Sequence, residues 1–113
     1  MWFSKKHREP INPFSYHESG FSFNEEHINW NDIRRVIAFK EDLITVDCIY
    51  ITIELETDEY FSIHEDTPWY DEFMKKLEEN IQISQTWFSD VAFPPFERNE
   101  TVIYDKSKIT FNQ

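Results

Sequence analysis

Between residues 49 and 56 the side chains alternate without a break. Ile49, Ile51, Ile53 and Leu55 share one parity, and Tyr50, Thr52, Glu54 and Glu56 share the other. A period of two over such a run marks a strand with one face in a core and the other toward solvent. That strand lies inside a longer tract, residues 41–74, which holds eleven Asp or Glu and no Lys or Arg. The formal charge of the tract, −11, equals that of the entire 113-residue chain. The centre of the molecule is therefore expected to be a sheet that is apolar on one side and anionic on the other.

The length fits one domain, residues 1–113, able to bury roughly two thirds of its unfolded surface without disulfides or metals. Hydrophobic content of 40% is too high for disorder, and the 18% of aromatic residues suits a sheet-based core. Gly20 is the only glycine, so tight turns have to rely on Asn, Asp and Pro. Cys48 is the only cysteine, which precludes an internal disulfide and fits a reducing compartment. Lys5, Lys6, His7 and Arg8 near the start are not followed by an apolar run, so we expect neither a signal peptide nor a membrane span, and a cytoplasmic location. Residues 1–13 read as a flexible basic arm. The net charge repels nucleic acid and anionic lipid and favours a basic protein partner.

Along the chain, residues 14–17 and 21–23 alternate ring and small polar residues around Glu18-Ser19-Gly20, as a hairpin does. Asn29-Trp30-Asn31-Asp32 punctuates, and residues 33–40 read as a strand with Ile33, Arg35, Ile37 and Phe39 on one face. The apolar parity is even through Ile44, Val46 and Cys48 and odd from Ile49, which predicts a bulge at Asp47-Cys48. Residues 56–59 turn the chain into a return strand, 60–64, with Phe61 and Ile63 inward. The period then becomes 3.6. Thr67 is placed to cap and Pro68 to open a helix whose stripe is Tyr70, Phe73, Met74, Leu77 and Ile81, with Asn80 as a left-handed terminus. Residues 85–91 suggest a short second helix, 101–104 a last strand, and 106–113 a frayed end. The fold class is α+β: a curved antiparallel β-meander of five to seven strands with one main helix after the central hairpin.

Catalytic chemistry has no sequence signature here. None of the four histidines has a ligand-spaced histidine partner, and Cys48 has no activating base close in sequence. His64 is expected on the solvated side of its strand, and Cys48 as a buried thiol. We expect no catalytic residues, metal site, cofactor or small-molecule substrate. The remaining signal is the carboxylate set Glu54, Glu56, Asp58, Glu59, Glu65, Asp66, Asp71 and Glu72, expected to share one end of the molecule as a partner-binding surface.

Trp30-x-Asp32-Ile33, Lys40-x-Asp42-Leu43 with Val46-Asp47, Trp69 ahead of Phe73, Trp87, and residues 95–101 (PFERNET) together resemble a family of small bacterial proteins. The resemblance covers most of the chain beyond the basic head. It implies a pleckstrin-homology-like fold, and some members resemble immunity proteins of toxin systems, including contact-dependent inhibition. A strand-like piece after the helix departs from the usual pleckstrin-like order. On this reading the chain is a non-enzymatic immunity protein whose acidic surface neutralises a cognate basic toxin domain of nuclease type. The alternative is a housekeeping module that binds a protein or peptide in an apolar groove near Trp69, Trp87 and Phe96, with acidity serving solubility.

Overall fold

A computed structural model describes residues 11–42, 47–95 and 97–108. Antiparallel pairing organises it into two open sheets. The smaller has order β1-β2-β3, from β1 (Phe14–Tyr16), β2 (Gly20–Phe23) and β3 (Glu26–Asn29). The larger has order β6-β5-β4-β7, from β4 (Ile33–Asp42), β5 (Asp47–Leu55), β6 (Tyr60–His64) and β7 (Asn99–Asp105). Two helices, α1 (Tyr70–Asn80) and α2 (Trp87–Ala92), lie between β6 and β7 in the chain. The α+β class, the antiparallel sheets and the main helix after the central hairpin match the sequence reading. The strands divide into two sheets where a single meander was expected.

Turns compensate for the scarcity of glycine. Asn24 and Glu25 both adopt positive φ (51° and 73°), which gives the two-residue β2–β3 connection the twist that a tight hairpin needs. Asp58, with φ 72°, does the same between β5 and β6. The sequence reading omitted β3, because a glutamate is an atypical residue for a left-handed turn position. Gly20 itself lies in β2 with no positive φ. A Cβ placed there would come 2.0 Å from the carbonyl oxygen of Ile28, so glycine is required by the close approach of β3.

The long strand β4 corrects a predicted face. Ile33 pairs with Leu55 but Arg35 pairs with Glu54, so Arg34 is an extra residue and parity inverts after it. Val36, Ala38 and Lys40 consequently point inward, while Arg35, Ile37 and Phe39 occupy the outer face. No register shift accompanies Asp47 and Cys48, which pair with Asp42 and Glu41 in continuous order. The bulge predicted there lies instead at Arg34, and residues 43–46 are outside the described residues. A second irregularity, between the Val36 and Ile37 pairings, falls at Ile103 of β7.

The core is a ring cluster joining three elements. Phe73 of α1 stands 5.1 Å from Phe14 and 5.2 Å from Phe21 of the small sheet, and 5.9 Å from Phe61 of β6. Offset and edge contacts at these spacings add to the burial of each ring. Around it pack Ile49, Ile51, Ile53, Ile63, Met74, Leu77 and Val91. The α1 stripe is as predicted, with Ile81 packed at its margin. Its ends differ. The Thr67 amide donates to His64 O (2.9 Å) and the Tyr70 amide to Thr67 O (3.0 Å), so a turn occupies residues 64–70 and the helix begins two residues after Pro68. Asn80 is the last helical residue and ties its amide group to Lys76 O, without the left-handed geometry expected of it.

Lys40 is the unforeseen member of the interior. Only 1% exposed, it donates to the carbonyls of Ala92 (2.7 Å) and Pro94 and lies 3.8 Å from Asp47 Oδ2. It thereby fastens the end of α2 and the Phe93-Pro94 segment to the middle of the large sheet.

Candidate functional site

The eight carboxylates singled out from the sequence do not share one end. Tyr60 pairs with Glu54, and His64 pairs with Tyr50, so β6 separates two groups. Its rise puts them about 13 Å apart. At one end are Glu54, Glu56, Asp58 and Glu59, around the β5–β6 turn. At the other are Glu65 and Asp66, followed by Asp71 and Glu72 in the first turn of α1.

The first group is largely neutralised by cations from outside the acidic tract. Arg35 donates to both oxygens of Glu54 (2.9 and 3.1 Å), a fork-to-fork pair. Arg34 Nη1 reaches Asp58 Oδ1 at 2.8 Å, and Lys106 Nζ reaches Glu56 Oε2 at 3.2 Å while also donating to Asn31 O. Glu59 accepts from the Thr57 hydroxyl. The Arg34 bulge is what allows two consecutive arginines to serve this turn, since both side chains find carboxylates on the same side of the hairpin.

In the second group, no lysine or arginine partner is found among the described residues for Glu65, Asp66, Asp71 or Glu72. Glu65 accepts the Ile49 amide (2.8 Å), and the other three are exposed. Asp71 and Glu72 favour the positive end of the α1 dipole, which accounts for their place but leaves their outward charge available. Their field is felt nearby. Burial first, and Glu72 second, push the Tyr16 phenol up to about 12, and burial with Glu65, Asp71 and Glu78 pushes Tyr70 higher still.

At this same end a cross-strand cluster forms that the sequence reading missed. Cys48 of β5 and His64 of β6 are neighbours on the outer face, and His64 Nε2 contacts Cys48 Sγ. The Asp66 amide donates to His64 Nδ1 (3.0 Å), which fixes the ring proton on Nε2, facing the sulfur. Asp66 Oδ2 is 3.9 Å from the same Nδ1, and Tyr50 meets the imidazole edge-on at 4.8 Å. One ligand-type atom each from Cys48, His64 and Asp66 lies within 4.8 Å of the others. His64 is thus not merely a solvated surface residue, and Cys48 does have an imidazole against it. The signal was register: Tyr50 opposite His64 brings position 48 of one strand to the ring of the other. Burial, then Asp66, Glu65 and Glu41, push the Cys48 thiol up, the opposite of what a nucleophile requires.

The aromatic residues proposed for an apolar groove belong mostly to the core. Trp87 is buried and donates its indole N–H to Glu78 (3.1 Å), and Trp69 packs against the core margin, while Phe96 lies outside the described residues. No helix among the described residues is long and apolar enough to cross a membrane. No family model, curated protein or solved structure matches the chain.

Proposed function

We propose that the chain is a non-enzymatic immunity protein that neutralises a basic toxin domain, docking it on the end formed by Glu65, Asp66, Asp71 and Glu72. The observation that carries this reading is the contrast between the two carboxylate groups. Glu54, Glu56 and Asp58 have internal cations, whereas the second four carry negative charge with no lysine or arginine partner among the described residues. A nuclease domain must be cationic where it grips phosphates, and an anionic surface of rigid origin can occupy that groove. The protein works in the cytoplasm on this reading. Its architecture is a variant of the pleckstrin-homology-like plan: the three- and four-stranded sheets with α1 against their shared core support it, and β7 joining β4 after the helices is the departure.

The direct test is calorimetric titration with the product of the gene immediately upstream, which this reading expects to be a basic toxin domain, together with co-expression in a sensitive strain. Tight one-to-one binding and protection are expected. Heat indistinguishable from dilution, or full protection after Glu65→Gln, Asp66→Asn, Asp71→Asn and Glu72→Gln are combined, would overturn the proposal.

A second reading has one observation in its favour. The outer face of the large sheet presents Ile37, Phe39 and Thr52 with Arg98 and Glu100 around a shallow depression, with Val102 exposed. A housekeeping peptide-binding module would use this face, and binding there would be insensitive to the four neutralising substitutions.

A further inference from the structure

We propose that Cys48, His64 and Asp66 form a binding site for a single borderline-soft divalent cation of the zinc class. Three donor types converge from two paired strands and the turn that follows them, within 4.8 Å of one another. Thiolate and imidazole together select zinc-like ions over calcium or magnesium, which prefer all-oxygen shells. The set supplies three of four tetrahedral positions and leaves the fourth to water.

The alternative chemistry for the same residues is a cysteine–histidine nucleophile, and the surroundings disfavour it. Cys48 is 4% exposed, so an electrophile has little access to sulfur. Glu41, directly across from Cys48, and Glu65 and Asp66 beside it surround the thiol with negative charge. That charge opposes a free thiolate and favours a dication. An ion can enter from the open side, where His64 is one-third exposed and Asp66 almost fully so. Binding releases the Cys48 thiol proton to solvent. The imidazole proton moves from Nε2, which takes the ion, to Nδ1, and the Asp66 amide gives up its present contact there.

Cobalt(II) titration of the purified full chain, freed of metal by a chelator, is the test. Occupied thiolate coordination gives a sulfur-to-cobalt charge-transfer band in the near ultraviolet that saturates at one ion per chain and is displaced by zinc. Cys48→Ser is expected to abolish the band, and His64→Gln and Asp66→Asn to weaken cobalt binding at least about tenfold. Circular dichroism of each variant confirms that the fold is kept; Asp66 is exposed enough that its substitution leaves the core untouched. No charge-transfer band, a band that survives in Cys48→Ser, or affinities unchanged in both His64→Gln and Asp66→Asn would each overturn the proposal.

Discussion

Lys40 carries its ammonium into a site 1% exposed and meets two carbonyls and a carboxylate there. Replacing it with methionine keeps the stem but leaves the Ala92 and Pro94 carbonyls without their donor and removes the cation beside Asp47. The expected cost is about 3–5 kcal/mol, read from urea unfolding; a loss below about 1 kcal/mol would show that the ammonium is solvated. Gly20→Ala tests a different constraint. Its methyl group would be forced into the β3 backbone, with nothing flexible to move aside, and a loss of about 3 kcal/mol is expected. Tyr16 offers the opposite sign. Its hydroxyl is buried and finds no hydrogen-bond partner among the described residues, so Tyr16→Phe should match or exceed wild-type stability at neutral pH, by up to about 1 kcal/mol. The phenol ionises near 10 when unfolded and about 12 when folded, so between those values only the unfolded chain gives up the proton. The stabilisation is complete below pH 10 and is lost as pH climbs toward 12. Unfolding midpoints across that window should fall less steeply for Tyr16→Phe than for wild type, and parallel slopes would contradict the assignment.

Among the elements, β4 separates what a period-two reading can and cannot find. If Arg34 is the extra residue, Val36 is inside and Ile37 outside, the reverse of simple alternation from Ile33. Val36→Ala should then cost about 2–3 kcal/mol and Ile37→Ala about 1 kcal/mol or less, and equal losses by thermal or urea unfolding would argue against the bulge. The hairpin of β1 and β2, the β5–β6 pair and the α1 stripe were legible because each obeys one period from end to end. β4 was not, since a bulge inserts a residue without altering composition, and both Arg34 and Arg35 are residues that an outer face accepts. β3 was hidden for another reason. Its Glu26-His27-Ile28-Asn29 has one apolar residue and borrows its order from hydrogen bonds to β2, while its turn uses Glu25 where Asn-Gly would have been a recognisable signal. The start of α1 moved past Pro68 because the backbone of Thr67 is engaged in a turn that closes on His64.

For the molecule as a whole, linear charge and spatial charge are different quantities. The tract 41–74 has no cation in sequence, yet Arg34, Arg35 and Lys106 reach into it from β4 and from the turn after β7. No reading of the tract alone could separate Glu54 from Asp71, because the distinction arises from strand neighbours. The Cys48–His64 contact was hidden in the same way, by a separation of sixteen residues that register closes. This difference between the two ends gives an experiment that does not depend on absolute affinity. Long-range steering acts on the rate of association and is screened by salt, whereas a carboxylate already paired with arginine contributes little field at a distance. Neutralising Asp66, Asp71 and Glu72 together should therefore slow association with a basic toxin domain by about 10-fold or more at low ionic strength and flatten its salt dependence. Glu54→Gln with Asp58→Asn also removes one negative charge per substitution, but about 13 Å from the docking end. That exceeds the screening length of about 8 Å at about 0.15 M salt, so at that ionic strength the double substitution should change the rate by less than about 3-fold. Its effect belongs on stability, through loss of the two-pronged Arg35 contact. Stopped-flow rates over a range of salt concentrations read both. If the Glu54 and Asp58 pair proved the more sensitive, the docking surface would lie at the β5–β6 turn, and the arginines there would be opening toward solvent when the partner arrives.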